Sequence, residues 1–458
     1  MHTSRRQALA GLAATATGLA LGGTARAAPR RKPNFIVILC DDLGLGDVGQ
    51  GDGGLIATPN IDRLAAGGVT LTDFYAAANL CTPSRAGLLT GRYPIRTGLA
   101  QNVIMQNDSR GLPLEEVTIA EALGDNYATA LIGKWHLGHV APFWPPTRHG
   151  FDLFFGLPYS HDMLPLSLYE AAPGVELTQE DVDYPALQQR FVDRAERFIS
   201  DNSSRPFFLT LAISAPHLPN YPSADHLGHS DAGLYGDTVE EIDALVGRLV
   251  ALLGKLAIEQ DTVVIFTSDN GPWFEGSPGG LRQRKGGGAY DGGYRVPFIA
   301  SQPGTLPAGL KTDALASGID LLPTLCAMAG APLPAGRKID GFDLSAVLQG
   351  ARSPREVLYL FDNEDIVGLR TQQWKYIIAD YYRGGMLGID NLGYPQLYDI
   401  GRDPAENYSV AARHLDVLDR MKALLAQGQA EFDPLRHGPS GIRRLDREVV
   451  WPAPLHHH

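Results

Sequence analysis

Four apolar runs of similar length recur in the first two thirds of the chain, and each ends in polar or charged side chains. Continuous apolar runs of this length are typical of strands buried on both faces, and therefore of a mostly parallel sheet. Helical spacing of apolar residues appears between the runs. This alternation predicts a large, doubly wound α/β domain. The predicted strands are residues 34–40, 127–133, 206–214 and 262–267, and the predicted helices are residues 60–66, 118–123, 186–199 and 238–255.

The polar ends of the four runs carry the first candidate functional residues. These side chains are Asp41 and Asp42 after the first run, Lys134 and His136 after the second, His217 after the third, and Asp269 and Asn270 after the fourth. In doubly wound sheets, ligands bind beyond the carboxyl ends of the strands. We therefore expect these side chains to converge on one site.

The pattern changes near residue 336. Shorter runs predict antiparallel strands, and a helical pattern closes this part of the chain. The strands are expected at residues 356–361, 367–378 and 396–400, and the helix at residues 411–427. We therefore predict a catalytic domain over residues 33–335 and a smaller C-terminal domain, an antiparallel sheet with a helix, over residues 336–455.

Residues 1–27 have the pattern of an export signal. Arg5 and Arg6 precede a weakly apolar stretch, residues 8–21, and Ala25 and Ala27 offer the small residues of a cleavage site. This pattern is typical of a twin-arginine signal and predicts a periplasmic or secreted protein. An uncleaved membrane anchor is the alternative, but the stretch is short for a span. We expect no membrane-spanning segment elsewhere.

Charge and cysteine content narrow the choice of partners. The formal net charge is −12, so nucleic acid is not an expected partner and any anion must bind in a local cationic pocket. Export permits a disulfide between Cys40 and Cys326, although Cys40 also fits a buried thiol. Residues 456–458 are histidines that fit an expression tag and are left out of the metal argument. The oligomeric state stays open.

The two acidic strand ends predict a metal site. Asp41, Asp42, Asp269 and Asn270 offer only oxygen ligands, which suit a hard divalent cation and not zinc. Adjacent carboxylates at a buried strand end would repel each other without a cation. Calcium is the first choice and magnesium the second, because a carboxylate-rich cage suits calcium better. Capping of helix N-termini by each acidic pair is the alternative.

Cys81 opens the run CTPSRAGLLTGR, residues 81–92. Pro83 suits the first turn of a helix. Cys81 is then expected just before a helix N-terminus, where free N–H groups and the helix dipole favour an anion, or an ionised or oxygenated group at position 81. Arg85 lies one helical turn further on and can reach the same place. A buried structural cysteine is the alternative.

This run resembles the signature of the type I sulfatases, and of arylsulfatase A-like enzymes in particular. The resemblance covers the chain from Asn34 to about Tyr408 and implies an alkaline phosphatase-like fold. It implies that a maturation enzyme converts Cys81 to formylglycine. In that family the hydrated aldehyde attacks the sulfur of a sulfate ester, and the aldehyde re-forms when sulfate leaves. This is covalent catalysis in two easier steps.

Further motifs extend the resemblance: DDLG at 41–44, GKWHLG at 133–138, LPYSHD at 157–162, SDNG at 268–271 and a glycine-rich loop at 284–297. By resemblance, Asp41, Asp42, Asp269, Asn270 and residue 81 bind the cation. Lys134, Ser160, His217 and Lys285 bind the sulfate, and Arg85 favours ionisation of the nucleophile. His136 holds the formylglycine hydroxyl and removes its proton, whereas His217 or Lys285 protonates the leaving alcohol. Asp291 stands where many relatives have Glu.

The function predicted from these residues is hydrolysis of a small-molecule or saccharide sulfate ester. Aryl, sugar and steroid sulfates all stay open, because the expected specificity loops, residues 102–110, 159–183 and 386–395, carry no recognisable code. One alternative is a phosphonate monoester or phosphodiester hydrolase, which shares the fold and the cysteine signature. The other is a sulfate-binding pseudoenzyme in which Cys81 stays unmodified.

Overall fold

The computed structural model describes residues 31–49 and 54–444. The predicted signal, residues 1–27, and the terminal histidines lie outside the described residues. Among the helices of the described part, none has the length and apolar character needed to cross a membrane.

Twelve strands occur among the described residues before residue 320. They are β1 (Asn34–Cys40), β2 (Val69–Leu71), β3 (Phe74–Tyr75), β4 (Ala128–Lys134), β5 (Leu153–Leu157), β6 (Leu168–Ala171), β7 (Thr178–Glu180), β8 (Phe207–Ala212), β9 (Thr262–Ser268), β10 (Phe298–Ser301), β11 (Leu310–Thr312) and β12 (Ala316–Ser317). Ten of them form one sheet in the order β11-β2-β10-β9-β1-β8-β4-β5-β6-β7, and β3 pairs with β12. The centre, from β9 to β5, is parallel. This confirms the predicted mostly parallel sheet.

Helices cover both faces of this sheet. They are α1 (Pro59–Ala66), α2 (Cys81–Thr90), α3 (Ile119–Leu123), α4 (Leu187–Asp201), α5 (Gly233–Lys255) and α7 (Leu321–Ala329). Two further helices, α6 (Asp291–Tyr294) and α8 (Leu415–Phe432), contribute to the core of the small sheet. Side chains alternate along a strand, so Phe35 and Val37 of β1 share a core with α2, α3 and α7. Ile36 and Ile38 share the opposite core with α1, α4 and α5. The doubly wound architecture is therefore confirmed.

A separate antiparallel sheet follows residue 336. Its strands are β13 (Leu358–Asp362), β14 (Asp365–Arg370), β15 (Trp374–Ile377) and β18 (Gln396–Asp399), and a hairpin of β16 (Ala379–Tyr382) and β17 (Gly385–Gly388) stands beside it. Side chains of α8, including Leu418 and Met421, share a core with this sheet. The small sheet with a closing helix is confirmed, whereas the division at residues 335 and 336 stays a prediction.

Several predicted boundaries are wrong, among them the following three. The segment predicted as one strand, residues 367–378, is two strands, because residues 371–373 turn the chain. The helix α5 begins at Gly233, five residues before its predicted start, because Tyr235 and Asp237 are already buried in its first turns. The helix α2 begins at Cys81 itself rather than after it.

Candidate active site

The acidic residues leave the sheet from two neighbouring parallel strands. In the pairing of β1 with β9, Cys40 lies opposite Ser268. The residues that follow, Asp41 and Asp269, therefore emerge side by side, and the backbone N–H of Asp42 donates to Asp269 Oδ1 at 3.3 Å. Asp41, Asp42, Asp269 and Asn270 are all buried. The expected convergence of both acidic pairs is thus observed.

Two further strands bring polar groups to the same edge. In the pairing of β4 with β5, Lys134 lies opposite Leu157, so the loop after Leu157 returns Ser160 to within 3.3 Å of Lys134 Nζ. The loop after β8 carries His217, whose Nε2 lies 3.6 Å from Asp42 Oδ2. Lys134, Ser160 and His217 therefore join the carboxylates, as predicted.

Cys81 stands at the centre of these groups. As the first residue of α2, it lies with its Sγ 3.4 Å from Asp41 Oδ1 and 3.9 Å from Asp42 Oδ1. An ionised or oxygenated group at position 81 stays a prediction, and it does not describe the unmodified Cys81 thiol. Burial raises its pKa well above the ordinary value, and Lys134 and Lys285 only partly oppose this. The unmodified thiol is therefore protonated at neutral pH.

Two lysines compensate the first acidic pair. Lys134 Nζ lies 2.6 Å from Asp41 Oδ2, and Lys285 Nζ lies 2.7 Å from Asp42 Oδ1. Lys285 reaches the site from the glycine-rich loop, whose backbone is fixed by the hydrogen bond from Lys285 N to the carbonyl of Pro272 at 3.0 Å. Both predicted lysines are therefore in the cluster that contains Cys81.

Arg85 binds Asp269, the first acidic residue after β9. Its Nε donates to Asp269 Oδ2 at 2.8 Å, and its Nη1 donates to the carbonyl of Lys134 at 2.7 Å. Burial raises the pKa of Asp269 to about 6, although Arg85 opposes this. Burial alone would also raise the pKa of Asp41, but Lys134, His217 and Arg85 hold it well below its ordinary value. Asp41 is therefore the more firmly ionised of the two.

The backbone conformation at His136 differs from the prediction. An extended segment was expected to place Lys134 and His136 on one side, but His136 has a left-handed backbone with φ of 59°, so strand alternation ends there. Its Nε2 bonds the carbonyl of Ile104 at 2.8 Å, and its Nδ1 has no hydrogen-bond partner among the described residues. Asp42 is also left-handed, with φ of 66°. Such conformations cluster at functional sites.

The donor set fits a hard cation. One ligand atom from each of Asp41, Asp42, Cys81 and Asp269 lies within 4.8 Å of the others. Asn270 Nδ2 donates to Asp42 Oδ1 at 2.7 Å, while Asn270 Oδ1 is buried with no hydrogen-bond partner among the described residues. A buried amide oxygen beside three carboxylates is a typical calcium or magnesium ligand set. The acidic cluster can therefore hold a metal ion.

Sequence reasoning missed an aromatic group beside the cluster. Trp273 follows the second acidic strand end and packs against His217, with ring centroids 5.3 Å apart. His161, to which the sequence assigned no role, packs against the same imidazole at 5.5 Å. The position of Trp273 three residues after Asn270 was the available signal, because residues that follow a strand end tend to line the site.

The fold and the site, together with comparison with known proteins, identify the protein family. The fold is alkaline phosphatase-like, and the site gathers acidic and cationic side chains around one cysteine. The sulfatase family model matches residues 33–331. Arylsulfatase A of Homo sapiens is 38% identical over 94% of this chain and 93% of its own length. The chain belongs to the sulfatase family and, like its arylsulfatase A-like members, is a sulfuric ester hydrolase.

Other similar proteins include a steryl-sulfatase and two sulfatase-like structures. Steryl-sulfatase of Homo sapiens is 34% identical over 82% of this chain and 83% of its own length. The crystal structure of PsFucS1 sulfatase from Pseudoalteromonas sp. has a TM-score of 0.81 and 31% identity, and the match covers 89% of this chain and 92% of that one. The structure of Ps i-CgsB with a neocarrahexaose, 28% identical with a TM-score of 0.75, contains a bound saccharide.

Proposed function

We propose that this protein hydrolyses sulfate esters with formylglycine at position 81 and a divalent cation in the acidic cluster. The observation that carries the proposal is the placement of Cys81. Its Sγ lies within 3.9 Å of two carboxylates, at the N-terminus of α2, and each of these carboxylates also forms an ion pair with a lysine. A buried, protonated thiol is a poor nucleophile. Formylglycine replaces it with a hydrated aldehyde, which supplies a hydroxyl nucleophile at the same place.

The charge balance of the cluster supports an anionic substrate. Three carboxylates, Asp41, Asp42 and Asp269, face three cations, Arg85, Lys134 and Lys285. A divalent cation would leave this buried cluster with an excess of positive charge. Buried charges require compensation, and a sulfate ester together with an ionised nucleophile would supply it.

We assign roles to the surrounding side chains from their positions. Lys134 and Ser160 lie 3.3 Å apart and, together with Lys285, are suited to donate to sulfate oxygens and to stabilise charge in the transition state. His217 lies at the solvent side of the cluster, where it or Lys285 can protonate the departing oxygen. The free Nδ1 of His136 is suited to take a proton from the second hydroxyl of residue 81.

Asp41, Asp42, Asp269, Asn270 and residue 81 would hold the cation, for which calcium is the first choice. When bound, the cation supplies positive charge that favours ionisation of a hydroxyl and binding of a sulfate oxygen. Arg85 positions Asp269 and Asp41 through the contacts described above. Elemental analysis should find about one calcium or magnesium ion per chain. Activity that depends on stoichiometric zinc would overturn this assignment.

The state of residue 81 is the most direct test. Protein produced with a formylglycine-generating maturation enzyme should yield a tryptic peptide, residues 64–85, that carries an aldehyde in place of the thiol. Cys81→Ala should abolish turnover while thermal stability stays close to that of the wild type. Full activity of protein with an unmodified thiol would overturn the proposed nucleophile. A chain that binds sulfate while residue 81 stays an unmodified cysteine would favour the pseudoenzyme.

The phosphonate monoester and phosphodiester alternative needs its own comparison. The sulfate monoester and the phosphate diester of one phenol should be assayed on the same preparation. We expect kcat/KM to favour the sulfate ester. The saccharide complex of a related structure supports sugar sulfates as substrates beside aryl and steroid sulfates.

We also propose export by the twin-arginine signal in residues 1–27. Twin-arginine export carries folded proteins, so residue 81 could be modified before export. Replacement of Arg5 and Arg6 by lysine should retain the protein in the cytoplasm. Unchanged export of that variant would overturn the assignment.

A further inference from the structure

The active-site cluster is most accessible on the side of Lys285 and His217. The side chains of Asp41, Asp269 and Lys134 are completely buried, whereas those of Lys285 and His217 keep 8% and 5% of their surface exposed. A sulfate ester that places its sulfate in the cluster must therefore extend its alcohol part past these two side chains.

Trp273 stands at this opening. Its ring lies 5.3 Å from the imidazole of His217 and 5.0 Å from Nζ of Lys285. Phe274 stacks on Trp273 with ring centroids 4.4 Å apart and an angle of 29° between the planes. Phe274 itself is 74% exposed. A single exposed aromatic residue is ordinary. Phe274, however, stacks on Trp273, which in turn contacts His217 and Lys285, the two most accessible side chains of the site.

A second set of rings contacts His217. His161 lies 5.5 Å from His217 and 6.1 Å from Tyr221, which in turn lies 4.8 Å from Tyr184. Tyr221 is 40% exposed. Ring contacts therefore run from Phe274 through His217 to Tyr221, and both ends reach solvent.

The segment that carries the two rings is held at its backbone. The carbonyl of Pro272 accepts a hydrogen bond from Lys285 N at 3.0 Å, and the N–H of Gly271 donates to the carbonyl of Gly293 at 2.9 Å. Trp273 is thus fixed between the acidic strand end and the loop that carries Lys285. A surface that is rigid before binding loses little entropy when a ligand binds to it.

We propose that Trp273 and Phe274 form an aromatic platform that binds the ring of the alcohol or phenol part of the sulfate ester. The platform makes ring-bearing esters better substrates than acyclic ones, because a ring can stack on it while its sulfate lies in the cluster. Aromatic phenols and the apolar face of a pyranose share this chemistry. This inference rests on the proposed function and specifies its substrate class.

The test uses Phe274→Ala, because an exposed ring can be removed with little effect on folding. For 4-nitrophenyl sulfate and for a pyranose sulfate, kcat/KM should fall about three- to tenfold, mainly through KM. The inhibition constants of inorganic sulfate and methyl sulfate, which have no ring, should not change. The larger of the two losses identifies the preferred ring type. Trp273→Phe, which keeps a ring, should retain more of the ring preference than Trp273→Ala.

Leu415→Ala is the matched control, since it removes an apolar side chain of 56% exposure from the start of α8 and should change none of these constants. Equal weakening of ring-bearing and ring-free ligands by Phe274→Ala, or unchanged kcat/KM for both ring-bearing esters, would overturn the platform alone. Absence of sulfate-ester turnover in the modified wild type would overturn the proposed function as well.

Discussion

Two buried clusters of opposite charges can be compared in the described part of this protein. The active-site cluster comprises Asp41, Asp42, Asp269, Arg85, Lys134 and Lys285. The second, here named the junction cluster, connects the large sheet to the small one and comprises Asp73, Asp291, Glu406, Arg295, Arg370 and Lys375. Each contains three acids and three bases, so formal charge balance does not distinguish them.

The difference lies in how completely the polar atoms are satisfied. In the junction cluster, Asp291 accepts from Tyr75 at 2.8 Å and from Lys375 at 2.5 Å, and its second oxygen faces Arg295. Beside the active-site cluster, Asn270 Oδ1 and His136 Nδ1 have no hydrogen-bond partner among the described residues. A buried polar atom without a partner costs free energy. In the junction cluster, Glu406 Oε1 also has no hydrogen-bond partner among the described residues, but it lies 2.7 Å from Lys375 Nζ in an ion pair. The charged groups of the junction cluster therefore compensate one another, whereas the two atoms beside the active-site cluster are available to ligands.

The largest expected effect is a difference in turnover between variants of the two clusters. Lys134→Met removes a proposed donor to the sulfate and should lower kcat by a factor on the order of 10²–10³. Lys375→Met, the same change in the junction cluster, should keep most of the turnover per folded molecule. Turnover of both variants, normalised to folded protein, measures the contrast. Equal losses would show that the junction cluster also shapes the active site.

The free energy of unfolding should show the opposite order, with the larger loss in the junction cluster. Lys375→Met leaves Asp291 and Glu406 without their shared ammonium group, and breaking a buried ion pair costs about 3–5 kcal/mol. Lys134→Met should cost less in the calcium-loaded protein, because the cation still compensates Asp41. Urea denaturation of the two variants gives both values. A larger loss of stability in Lys134→Met would contradict the comparison.

Metal binding should stabilise the protein through one cluster only. Calcium at 100 times its dissociation constant should add about 2.7 kcal/mol to the free energy of unfolding, and a chelator should remove it. Asp269→Asn should abolish this increment, whereas Asp291→Asn should preserve it. Thermal unfolding with and without calcium measures both. A calcium effect that survives Asp269→Asn would place the cation elsewhere.

The two clusters also differ in how far their residues could be predicted from the sequence. Asp41 and Asp269 directly follow long buried strands, and adjacent parallel strands end at the same edge, so local pattern sufficed to bring them together. The edge strands β6 and β7 were not predicted, because they are short and β7 is fully exposed. Strand periodicity also failed at His136, since a left-handed residue interrupts the alternation.

The junction cluster was not predicted for a different reason. Tyr75 and Arg370 are 295 residues apart in the chain yet lie 2.8 Å apart, from Arg370 Nε to Tyr75 Oη. No local spacing carries such a contact, and each residue alone fits a solvated surface. The family resemblance marked the loop that contains Asp291 but gave no reason to pair it with Lys375. Ion pairs between distant segments follow from the packing of whole sheets.

The smallest expected effect is a pH dependence of stability that arises in the junction cluster. Lys375 Nζ lies 2.5 Å from Asp291 and 2.7 Å from Glu406, so one ammonium group serves two buried carboxylates. Asp291 also faces Arg295 and Arg370, which help Lys375 to outweigh the effect of burial and lower its pKa. Burial raises the pKa of Glu406 to about 7 despite Lys375. Glu406 is therefore the residue that takes up the proton.

The sign follows from linkage. A carboxyl whose pKa is higher in the folded state contributes stability that is complete below its unfolded pKa and is lost as pH rises through the folded value. Relative to Glu406→Gln, the wild type should thus lose on the order of 1–3 kcal/mol between about pH 4.5 and pH 7. Asp291→Asn should show the reverse, a difference that develops toward acid pH. Urea denaturation at several pH values tests this, and parallel stability curves for wild type and Glu406→Gln would show that Glu406 stays ionised throughout.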